Sequence, residues 1–131
     1  MTLSMIELTT PAASGGAGTA TATVTSAVPY SGTIMSVYVK YNDSPPAGTT
    51  DITLATQGTV SGAPPAQTIL SIANAATDGW FQPRVPMHTT AGVVVADSYD
   101  WPVIFNDYLT LTIAQADNND SVKVWVVMDV S

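Results

Sequence analysis

Along most of this chain apolar and polar residues alternate with a period of two. From residue 18 to 26, Ala20, Ala22 and Val24 alternate with Thr19, Thr21, Thr23 and Thr25. Small apolar side chains on one face and β-branched threonines on the other suit a half-buried strand and disfavour helix. Similar runs predict strands over 33–41, 51–56, 67–72, 108–115 and 122–128, and Trp125, inside the last, is expected in the core. The turn-forming run 116–121 joins the last two strands into a hairpin with a longer loop.

Two weaker segments complete the set. In 3–8 the apolar positions shift from Leu3 and Met5 to Ile6 and Leu8, a change of register that a bulge would produce. The segment 80–87 is extended, but Pro83 and Pro86 confine it to an edge strand or a structured loop. No segment has a 3.6-residue period; 73–78 allows one helical turn before Gly79. About eight strands divided by Gly and Pro turns predict an all-β, antiparallel β-sandwich of jelly-roll or Greek-key type. The length, 131 residues, fits one domain over 1–131. The glycine- and alanine-rich stretch 11–18 is the only linker-like segment. It allows residues 1–16 to act as an amino-terminal arm that adds a strand to a neighbour, with Leu3 and Met5 entering pockets, or merely joins two strands of one sandwich.

Composition changes the picture at the surface. Only 10% of residues are charged, against about 25% in an average soluble domain. The basic residues are Lys40, Arg84 and Lys123 alone, and the net charge is -7. So little charge leaves few features that hold neighbours apart, and the surface reads as one partly covered by other subunits, although a thermally robust secreted domain has the same look. The shortage of basic residues argues against nucleic acid and against anionic membranes. No apolar run approaches the ~20 residues of a membrane span. The first residues lack the basic and apolar regions of a signal peptide, so the expectation is either no export by that route or a leader already removed. With no cysteine there is no disulfide, thiolate ligand or thiol nucleophile.

Candidate chemistry is thin. His88 is the only histidine and no Gly-x-Ser-x-Gly pattern occurs, so no catalytic residue is expected. Asp97, Asp100 and Asp107 cluster around Trp101, but glycoside hydrolysis needs two carboxyls across a deep cleft, and turn aspartates are the preferred reading. The run from Asp117 to Ser121 offers oxygen ligands for calcium, yet lacks the glycine and distal glutamate of an EF-hand, so a polar hairpin tip is preferred and no metal or cofactor is assigned. Asn119-Asp120-Ser121 and Asn42-Asp43-Ser44 match the N-glycosylation pattern, the second followed by Pro45. The aromatics Trp80, Phe81, Tyr99, Trp101, Phe105 and Tyr108 concentrate in 80–108, which carries Pro83, Pro86 and Pro102 and reads as partly a long irregular loop. They form a partner surface or plug the ends of the sandwich, and the pattern leaves both open. Arg84 is expected either in an ion pair that ties this loop down or against a partner. The partner-binding candidates are therefore Leu3, Met5, Trp80, Phe81, Arg84, Tyr99 and Trp101.

The segment Ala76-Thr77-Asp78-Gly79-Trp80-Phe81-Gln82-Pro83-Arg84, followed by His88-Thr89-Thr90-Ala91-Gly92, resembles a pattern in head decoration (cement) proteins of tailed bacteriophages. Residues 107–116 before the closing apolar strand, and 32–39 followed by 51–53, also fit, so the resemblance runs from about Gly32 to the carboxyl end. It implies a β-sandwich or jelly roll, often a homotrimer, on the outer surface of the capsid in the virion. There it would bind the major capsid protein and strengthen the shell against internal DNA pressure. It carries over no catalytic residue. The competing expectation is a carbohydrate- or receptor-binding β-sandwich module of a phage tail or secreted protein, with Trp80 or Trp101 as a sugar platform.

Overall fold

The computed structural model describes residues 1–42 and 45–131, so the Asn42-Asp43-Ser44 pattern falls partly outside the described residues. Among the described residues there is no helix and there are eleven strands: β1 (Leu3–Thr9), β2 (Ala20–Thr25), β3 (Tyr30–Tyr41), β4 (Asp51–Thr56), β5 (Thr68–Ile72), β6 (Gly79–Phe81), β7 (Val85–His88), β8 (Val94–Asp100), β9 (Val103–Asp107), β10 (Leu109–Ala116) and β11 (Val122–Asp129). One sheet has the order β1-β11-β3-β6, with β9 also on β3; the other has the order β2-β10-β4-β5. All these pairings are antiparallel.

Counting β6 and β9 as one strand, the two sheets read 1-8-3-6 and 2-7-4-5, the jelly-roll order. That single count is justified by geometry. β6 lies against Val37–Val39 of β3, and β9 lies against Tyr30–Thr33 of the same strand, running in the same direction. The sixth strand is thus interrupted, and 82–102 leaves the edge to form the β7–β8 hairpin before returning.

The core lies between the sheets, where the period-two residues meet. Val122, Val124, Val126 and Met128 of β11 face Leu109, Leu111 and Ile113 of β10, flanked by Ile34, Val37 and Val39 of β3 and by Ile52 and Leu54 of β4, all buried. Each such side chain contributes about 1.5–3 kcal/mol relative to exposure.

Two expectations are corrected, and a third, left open between two readings, takes one of them. β1 pairs with β11 without interruption from Leu3↔Asp129 to Thr9↔Lys123, so it has no bulge. Ile6 and Leu8 point into the core, while Leu3 and Met5 are apolar residues on the outer face, and this mimics a register change. Residues 1–16, open between an arm and two joined strands of one sandwich, pack here on the chain's own sandwich. Ala13 is buried, its N–H donates to the Asp120 carbonyl at 2.7 Å, and its carbonyl accepts from Asn119 N at 2.8 Å. Gly15, at φ 143°, passes so close to β2 that a Cβ would lie 2.8 Å from Ala20 Cα. The region expected to be an irregular loop is instead β7, β8 and β9, and 80–87 is split into β6 and β7 around buried Pro83.

Candidate functional site

The two outer faces of the sandwich differ. On the β2-β10-β4-β5 sheet the outward positions are largely threonine, and cross-strand hydroxyls pair: Thr23 Oγ1 lies 3.3 Å from Thr112 Oγ1, and Thr25 Oγ1 lies 3.2 Å from Thr110 Oγ1. On the other sheet, the antiparallel register aligns Glu7, Trp125, Tyr38 and Trp80 in one row across β1, β11, β3 and β6. The Tyr38 ring centroid stands 5.1 Å from that of Trp80 and 5.7 Å from that of Trp125, with the planes inclined at 59° and 53°. Met5, one row away, closes a shallow cleft of about 310 Å³ lined by Met5, Tyr38, Trp80 and Trp125.

Polar groups rim this cleft. Trp125 Nε1 donates to Glu7 Oε1 at 3.1 Å, and Glu7 Oε2 pairs with Lys123 Nζ at 3.2 Å. The same ammonium lies 4.6 Å from the centroid of the Trp125 ring, a cation–π contact. In the next strand, opposite Lys123 in the register, Lys40 Nζ is 3.8 Å from Asp78 Oδ2, while Asp78 Oδ1 accepts from Tyr41 N at 2.8 Å. Gln82 Nε2 donates to Ser36 Oγ at 3.3 Å.

A second surface is the hairpin with β9. Met87, Val93, Val94, Tyr99, Trp101, Val103 and Phe105 are exposed there, more than half of the large hydrophobic side chains exposed among the described residues being between Met87 and Phe105. Its pairing shifts between Pro86↔Tyr99 and His88↔Val94, and the extra residues of β8 include Asp97 at φ 57°. The base is pinned. Arg84 sits 5.0 Å from the Trp101 ring centroid and donates to the Pro83 carbonyl at 2.8 Å, Pro83 and Pro102 are buried, and Ile34 N donates to the Pro102 carbonyl at 2.9 Å.

The predicted site residues are therefore divided. Met5 and Trp80 meet at the cleft, Arg84 and Trp101 meet at the hairpin base, and Tyr99 is exposed on β8. Phe81 packs against the core, and Leu3 lies on the outer face opposite Asp129. Arg84 contacts a ring and a backbone carbonyl where an ion pair was one expectation. Trp125, expected in the core, is half-buried on the outer face, as is Tyr38. The signal for both was the phase of the alternation: Tyr38 lies between Val37 and Val39, and Trp125 between Val124 and Val126, all four buried.

The carboxylates serve the scaffold. Buried Asp107 accepts from Gly58 N at 3.0 Å and Tyr108 N at 2.8 Å, whereas Asp97 and Asp100 are exposed on β8. Asp120, also buried, accepts from Asn42 Nδ2 at 3.1 Å, Ala47 N at 3.1 Å and Asp117 N at 2.9 Å. Its two oxygens brace the loop considered for calcium, and no group of three His, Cys, Asp or Glu gathers among the described residues. His88 is exposed on β7.

No family model matches the chain, and no curated protein matches it. Among solved structures it is similar to a variant of CBM29-2, a family 29 carbohydrate-binding module, at 10% identity and TM-score 0.41, covering 98% of this chain and 82% of that one. It is also similar to exo-β-1,3-galactanase from Phanerochaete chrysosporium, at 13% identity and TM-score 0.35, over 96% of this chain and 29% of that one. A third is the Gx strain of infectious bursal disease virus, at 9% identity and TM-score 0.27, over 97% and 39%. At such scores none bears on ligand or assembly. What its own strand order establishes is that the protein is an all-β, antiparallel β-sandwich with jelly-roll connectivity.

Proposed function

We propose that this chain is a non-enzymatic head decoration (cement) protein of a tailed bacteriophage, a homotrimer that sits on the outer capsid surface and stiffens the shell by binding the major capsid protein. The observation that carries the assembly reading is the β7–β8 hairpin, whose residues are nearly all exposed despite Met87, Val93, Val94 and Tyr99. A two-stranded hairpin is marginally stable alone in water, and so many exposed apolar side chains in one short segment fit an interaction surface. Val103 and Phe105, on β9 beside the hairpin base, are exposed as well and add apolar surface for a second copy to cover. Each side chain covered contributes about 1.5–3 kcal/mol before ordering costs. The pinned base holds the hairpin in one direction, which lowers that cost. The trimer and the shell come from the decoration-protein resemblance and the sparse surface charge.

Native mass spectrometry at micromolar concentration, followed by binding to expanded shells, tests this. A trimer that Tyr99→Asp dissociates, and that binds shells, is the expected result. A 13.6 kDa monomer that stays folded and ignores shells overturns it.

A second reading, a carbohydrate- or receptor-binding module, is favoured by the aromatic cleft across β1, β11, β3 and β6. It places the function on a different face and is compatible with assembly through the hairpin.

A further inference from the structure

We infer that the cleft formed by Met5, Tyr38, Trp80 and Trp125 binds a neutral, extended oligosaccharide of β-linked pyranoses, lying across the strands with alternate sugar rings, the first and third of three, against Trp80 and Trp125. This deepens the second reading above and is independent of the capsid assignment.

Four observations carry it. First, the register sets three rings side by side on adjacent strands, so the two tryptophans stand two strand spacings apart, about 10 Å. A row that long matches the disaccharide repeat of an extended glycan, so that alternate rings meet the two tryptophans, and equatorial substituents leave apolar C–H faces for stacking. A helical α-linked chain curves away after one ring. Second, the rim charges come in opposed pairs, Glu7 with Lys123 and Lys40 with Asp78, so the site selects neither an anion nor a cation. Third, those paired groups and Gln82 put donors and acceptors beside the rings, where hydroxyls of a stacked sugar reach them. Fourth, the platform is preorganised. Trp125 is held by its hydrogen bond to Glu7, and Tyr38 is wedged between two rings, so little rotamer freedom is lost on binding. Trp80, 59% exposed, is the ring with most surface left to cover.

The test titrates the full chain with cellohexaose, maltohexaose, polygalacturonate and choline, read by tryptophan fluorescence and calorimetry. Saturable binding of cellohexaose is expected, with at least about tenfold weaker binding in Trp80→Ala, as the loss of one stacked ring implies. Trp101→Ala, at the hairpin base, leaves it unchanged. Preference for choline, polygalacturonate or maltohexaose overturns the inference, as does cellohexaose binding that survives Trp80→Ala. If no sugar binds but Trp80→Ala disrupts self-association, the cleft is an interface between copies: the glycan inference falls and so does the second reading, while assembly stands. If Trp80→Ala instead abolishes binding to a purified receptor protein, only the sugar assignment falls.

Discussion

Tyr41 closes β3 with its side chain turned into the sandwich, 3% exposed, and its hydroxyl has no hydrogen-bond partner among the described residues. A buried hydroxyl in that position forfeits its hydration without compensation, at about 1–3 kcal/mol. Removing it with Tyr41→Phe should therefore raise the urea midpoint, because the ring still fills its place. Burial, and then the nearby Asp78 carboxylate, push the phenol above the ordinary tyrosine value of 10.0. The folded state thus favours the protonated form more than the unfolded state does. That contribution is fully present below the unfolded value and is lost as pH rises through the folded one. Urea midpoints should hold steady up to about pH 10 and fall beyond it, with a smaller fall in Tyr41→Phe. An equal fall in both proteins would place the alkaline sensitivity elsewhere.

At the level of elements, the strands legible in the sequence were those with one wet and one dry face. β2, β4, β10 and β11 appear within a residue or two of the expected bounds, because burial on one side only is what writes the period of two. β1 departs from its expected bulge because its outer face is also apolar at Leu3 and Met5. β8 left no mark for the opposite reason: it does not face the core, so no alternation records it, and β7, with Pro86 inside it, shows only as part of the extended segment 80–87. The cleft was half legible, since Trp80 stood out by its loop setting while Tyr38 and Trp125 were hidden in strands. β1 gives a direct check. Deleting residues 1–14 removes Ile6, Leu8 and Ala13 from the core and unpairs one side of β11. At about 1.5–3 kcal/mol per large apolar side chain, plus seven residues of pairing, the loss rivals the whole stability of a small domain, about 5–15 kcal/mol. The truncated chain should lose its sheet circular dichroism and its cooperative urea transition. A folded product would restore the arm.

Seen whole, the molecule keeps its possible contacts on separate parts: threonine hydroxyls on one sheet, aromatic rings on the other, and an apolar hairpin beyond the edge. The hairpin contributes nothing to the buried core, whose residues come from the two main sheets and the segment before β2. Replacing 84–100 with a short Gly-Ser linker should leave a folded β-sandwich whose urea midpoint is close to that of the intact chain at concentrations where both are monomeric. Size-exclusion chromatography should then show a monomer at concentrations where the intact chain self-associates. Persistence of the oligomer would move the interface to one of the sheet faces.

The interrupted sixth strand has a consequence for how such a molecule changes over generations. Because the chain departs from β3's edge after Phe81 and rejoins the same edge at Val103, whatever lies between can be exchanged without altering the order of any other strand. Lengthening such an excursion is cheap, about 0.6 kcal/mol of closure entropy for each doubling. The body and the appendage are thus free to diverge at different speeds. Descendants that share this sandwich residue for residue are expected to differ most between 82 and 102, where a new partner can be accommodated without the core being solved again.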